Sequence, residues 1–72
     1  MKTYEVEADT AVLEEIEKNH VHVDRLVAEA EGYLAEPDVD DAAIARMFIE
    51  QGHSEALSYW LVRLANVRHA PR

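Results

Sequence analysis

Between Thr10 and Ala35, the residues Val12, Ile16, Asn19, Val23, Leu26, Ala30 and Tyr33 recur at alternating spacings of four and three. A seam of that period lies along one side of an α-helix and cannot be laid along a strand, whose side chains alternate with a period of two. The spacing predicts one long helix over residues 10–35, opened by Asp9 or Thr10, whose short side-chain oxygens can accept from first-turn amides. Its weak point is Asn19-His20-Val21-His22-Val23. Asn tolerates a left-handed cap, the valines are β-branched, and Asp24 could open a second helix there.

Three residues punctuate the remainder: Pro37, Gly52 and Pro71. Pro37 disfavours helical geometry at Glu36 and ends the first unit there or slightly earlier. Asp38-Val39-Asp40-Asp41 then supplies cap candidates and first-turn negative charge for a helix over residues 39–51, with Ala43, Ile44, Met47 and Phe48 as its apolar stripe. Gly52 closes that helix in the left-handed conformation, which costs glycine little. Ser54 caps a last helix over residues 54–68, whose stripe is Leu57, Trp60, Leu61, Leu64 and Val67. The expected fold is therefore all-α: one domain, residues 1–72, forming a small bundle of three to four helices with an N-terminal arm over residues 1–9. Within the arm, Tyr4-Glu5-Val6-Glu7-Ala8 alternates apolar and polar, a strand period with no second strand to pair with.

A chain of 72 residues can bury only about three-fifths of its surface, giving roughly 4,500 Å² folded against about 11,900 Å² unfolded. With no cysteine, disulfides and zinc–thiolate sites cannot supplement so thin a core, which leaves regular helix packing or self-association. Tyr59, Val62 and Ile49 lie off the stripes of their helices. Such a surplus implies either that the last helix is wrapped on two sides or that an apolar patch is left for a partner; the patch, with homo-oligomerisation as its simplest use, is the expectation. No apolar run approaches a bilayer span, so a soluble, cytoplasmic protein without membrane contact is expected.

The formal charge is −8 and unevenly distributed: residues 1–41 hold 13 acidic and 3 basic side chains, residues 42–72 hold 2 and 4. A negative field of this kind repels phosphate backbones and favours basic partners, or serves solubility alone. Neither zincin nor calcium-loop spacing is present, and on a helix His22 points away from His20 and Asp24, which could pair with each other one turn apart. The serines Ser54 and Ser58 lie in no nucleophile turn, and so little core leaves little room for a dry pocket that would shift a carboxylate. Neither an enzyme nor a cofactor or metal is expected. Residues Ala42 to Leu57 have the outline of a helix-turn-helix, with Tyr59, Arg63 and Arg68 as groove or phosphate contacts. The start of its second helix carries Glu55 and apolar residues, and the chain lacks a basic footprint, so direct nucleic-acid binding is not expected.

Small size, acidity and absence of catalytic motifs together make the chain similar in general character to small inhibitors encoded by phages and mobile elements, including anti-CRISPR proteins and DNA mimics. The resemblance implies a non-enzymatic module that blocks a basic, nucleic-acid-binding surface of a larger protein by occupying it. It assigns no residue roles. The residues themselves offer Glu14, Glu15, Glu17, Glu29 and Glu31 with Asp38, Asp40 and Asp41 for steering, and Tyr59, Trp60 and Val62 for anchoring area. Competing readings are a dimeric helix-turn-helix regulator and an assembly subunit that completes a larger bundle.

Overall fold

Four helices are present in the computed structural model, which describes residues 4–70: α1 (Thr10–Lys18), α2 (Val23–Leu34), α3 (Asp41–Glu50) and α4 (Glu55–His69). The predicted all-α bundle is what forms, with four helices, because the long first helix is divided in two at its weak point over residues 19–23. At the break, His20 takes φ +51°, the left-handed region, and two more residues, Val21 and His22, follow before α2 begins. Asn19, the residue suited by type to that conformation, is instead the last near-helical one at φ −100°. The seam survives in composition only. Val12, Val23, Leu26 and Ala30 are buried, Ile16 and Tyr33 are partly so, and Asn19 faces solvent. Once α2 is free of α1 it can turn a wider stripe inward, which brings in Val27, a core residue outside the heptad.

Helix α4 is the centre of the molecule. It packs chiefly against α2 and α3 and more lightly against α1, in a flattened body 33 × 30 × 17 Å across. Being covered from several directions, α4 buries Leu57, Ser58, Trp60, Leu61, Val62, Leu64 and Ala65, far more than one stripe. Val62, expected to remain outside, is therefore core, whereas Val67, expected inside, is half exposed. Tyr59 and Ile49 do keep large apolar surfaces in solvent. On α3 the buried stripe is Ile44, Ala45 and Phe48, with Ala45 in the place expected of Ala43. The small side chain of Ala45 lets α3 lie close against its neighbours.

The α3–α4 connection follows its sequence signals. Gly52 lies at φ +103°, its amide donates to Ile49 O (3.0 Å), and the His53 amide donates to Phe48 O (3.1 Å). These two bonds form a Schellman closure, and the rings of Phe48 and His53 meet edge-on with centroids 6.3 Å apart, supplying its apolar contact. Asp40 caps α3, its carboxylate accepting from the Ala43 amide at 2.8 Å, and the Ser54 hydroxyl caps α4 by accepting from Leu57 N at 3.1 Å. The Ser58 hydroxyl donates to Ser54 O (2.7 Å), which satisfies the one buried polar side chain among the described residues. Asn66 donates to Asp41 at 3.2 Å, so the first turn of α3 lies beside the late turns of α4.

Candidate functional site

The acidic side chains separate by task. Asp40 is consumed as the cap of α3, and Asp41 is held by Asn66. Glu15, on α1, reaches the start of α4 and accepts from both the Ser54 amide (3.0 Å) and the Ser54 hydroxyl. A capping box places a Glu or Gln three residues after the cap to bond back to it. Here that position is Leu57, and a carboxylate from another helix does the work instead. Partial burial pushes the Glu15 carboxyl up, but the two Ser54 donors and the nearby His53 charge outweigh it and hold the group below the ordinary carboxylate value. Glu15 is thus a staple between α1 and α4 rather than a free charge. By contrast Glu14, Glu17, Glu29 and Asp38 face solvent, and Glu31 is half-buried.

Of the proposed anchors, only Tyr59 offers its ring to solvent. Val62 lies in the core, and Trp60 is 4% exposed. Against Trp60 lies the described part of the N-terminal arm, residues 4–9. Tyr4, Val6 and Ala8 alternate inward against the core while Glu5 and Glu7 alternate outward, so the strand period of this segment is satisfied against a helix. The Tyr4 ring meets Trp60 edge-on at 5.1 Å, and the indole N–H donates to Val6 O at 3.2 Å.

Arg68, a groove or phosphate contact only in the disfavoured helix-turn-helix reading, is engaged inside the molecule. Its guanidinium grips Glu5 with two bonds, Nε–Oε2 at 2.8 Å and Nη2–Oε1 at 3.3 Å, and reaches Asp24 with Nη1 at 3.1 Å. Glu5 is held below its ordinary value first by that hydrogen bond from Arg68, and Arg68 is held above its own first by the same bond. All three side chains remain partly in solvent, so each pair is screened and contributes little by itself. One cation nevertheless ties together the arm, the start of α2 and the end of α4. Sequence spacing could not reveal this set, because its members lie 44 and 63 residues apart.

Two open grooves flank the arm. One, between the arm and the start of α2, is lined by Tyr4, Val21, His22, Val23, Asp24 and Arg25. The other runs beside α4 and is lined by Glu7, Asp9, Val12, Tyr59, Trp60 and Arg63. Arg63, the other cation of the helix-turn-helix reading, thus shares its groove with two carboxylates. Among the described residues no three His, Asp or Glu side chains are grouped to hold a metal, and no helix is long and apolar enough to cross a membrane. The helical spacing that would pair His20 with Asp24 is lost at the break between α1 and α2. The chain matches no protein-family model, no curated protein and no solved structure.

Proposed function

We propose that this chain is a non-enzymatic, cytoplasmic interaction module that works by occupancy, seating on a basic, nucleic-acid-binding surface of a larger protein in the manner of small phage or mobile-element inhibitors of the anti-CRISPR or DNA-mimic type. The observation that supports it is the division among the acids. Glu5, Glu15, Asp24, Asp40 and Asp41 are spent on the fold, yet Glu14, Glu17, Glu29 and Asp38 stay in solvent, and Arg68 is already neutralised from within. The remaining outward field is negative, which accelerates encounter with a basic surface and disfavours phosphate. Tyr59 is the aromatic side chain available at the surface for anchoring, or for pairing with a second copy.

The antiparallel alignment of α3 and α4, with Asp41 beside Asn66, counts against the helix-turn-helix alternative, whose two helices cross at about 90–120°. The test leaves Glu15 intact because it caps α4. With the protein retained by pull-down as the immobilised target, the double variant Glu14→Lys/Glu17→Lys is expected to associate roughly tenfold more slowly at low salt. The difference should shrink as salt screens it. Equal rates at low salt would remove the reading.

A further inference from the structure

We infer that the N-terminal arm is a strap that lifts from α4 without unfolding the helices, and that its lifting makes Trp60 available to a partner. Residues 4–9 belong to no helix and pair with no strand. What holds them includes no fully buried side chain and is of a kind that breaks locally: the half-buried packing of Val6 and Ala8, the edge-on contact of Tyr4 with Trp60, the bond from the indole to Val6 O, and the solvent-facing clasp of Glu5 by Arg68. The helices beneath are secured differently, by Leu57, Leu61 and Leu64 of α4 packed at 0% exposure. A segment with few buried contacts on a well-packed body opens by itself far more often than the body unfolds. Beneath the strap lies an indole with a donor N–H, which lines one groove together with the exposed Tyr59 and with Arg63. That is a concentration of the side-chain types that dominate protein interfaces, kept covered until the arm moves.

The gating role rests on the occupancy reading, whereas the lifting does not, and the experiment separates them. Trp60 is the only tryptophan, so its indole N–H gives one hydrogen-exchange signal in the intact chain, and that proton is held by an arm carbonyl. In the unaltered protein the indole is expected to exchange at least tenfold more often than the Leu61 and Leu64 amides when each is referred to its intrinsic rate. Tyr4→Ala should accelerate the indole about two- to tenfold, the worth of an aromatic pair. Glu5→Gln should accelerate it by up to about fivefold, the worth of an exposed ion pair. Neither should change the α4 amides by as much. Equal protection of indole and α4 amides in the unaltered protein would overturn the strap, since the arm would then open only with the whole fold. Once a partner is in hand, Tyr4→Ala should tighten binding by the same factor that it raises indole exchange. A strap that opens more readily with no gain in affinity would overturn the gating.

Discussion

The two turns that follow α1 and α3 are closed by the same pattern of hydrogen bonds and differ in nearly every residue that makes it. After α3, the Gly52 and His53 amides bond back to Ile49 and Phe48; after α1, the His20 and Val21 amides bond back to Glu17 (3.4 Å) and Ile16 (2.9 Å). The left-handed position is glycine in one and histidine in the other, at φ +103° and +51°. The next helix starts on Ser54 with a hydroxyl cap in the first case, and on His22 with no side-chain cap in the second. Tertiary packing therefore imposes at the α1–α2 joint a turn that local chemistry only permits, whereas at the α3–α4 joint packing and local chemistry agree. The difference teaches that the first joint is where the fold carries conformational strain.

The apolar residue that begins each closure should show the contrast most strongly. Phe48 is fully buried and Ile16 only partly, so Phe48→Ala is expected to cost about 3–5 kcal/mol and Ile16→Ala less than half as much in urea unfolding. Comparable costs would mean that α1 is as firmly docked as α3. Exchanging the left-handed residues should then move stability in opposite directions. A methyl group at Gly52 would meet nothing within 4 Å, so Gly52→Ala isolates backbone strain and should cost about 1–2 kcal/mol. His20→Gly relieves the same strain, less the entropy glycine returns to the unfolded chain, and should stabilise by about 0.5–1 kcal/mol in the same assay. Supplying the missing cap with His22→Asp should add about 0.5–1 kcal/mol.

The smallest effect is on acid stability. Glu15 is held below its ordinary value of 4.5, so its contribution is complete above that pH and is lost as the pH falls through the lower folded-state value. Thermal midpoints measured from about pH 6 to pH 3 should fall less steeply for Glu15→Gln than for the unaltered chain. Because Glu15 serves the Ser54 cap, this part of the acid sensitivity belongs to the joint that local chemistry already favours. Parallel pH profiles would show that the staple from α1 contributes nothing to it.

Legibility followed the same division. Gly52 and Ser54 could be assigned from residue type and position, and the cap of α3 narrowed to the segment 38–41, because each acts within three residues of itself. The break between α1 and α2 was legible only as a weak point over residues 19–23, because the left-handed conformation falls on His20, one position past the asparagine that favours it more strongly. Of the residues suggested for partner contact, Glu14, Glu17, Glu29, Asp38 and Tyr59 are at the surface, while Glu15, Asp40 and Asp41 are tied into the fold, and Trp60 and Val62 are buried. Nothing in the spacing of Glu15 from Ser54, 39 residues apart, distinguishes a staple from a solvated charge.

By itself the sequence determined the helical class, the two capped joints around α3 and the acidic character of the first 41 residues, since these depend on periodicity, local backbone preference and composition. Only the tertiary structure decided that α4 is wrapped on several sides, that Val62 is inside, and that Arg68 clasps the arm to the body. The physical reason is that burial and ion pairing depend on which surfaces meet. In a chain with a core this thin, even a single arm of alternating residues adds a side to the core, laid against the tryptophan of α4.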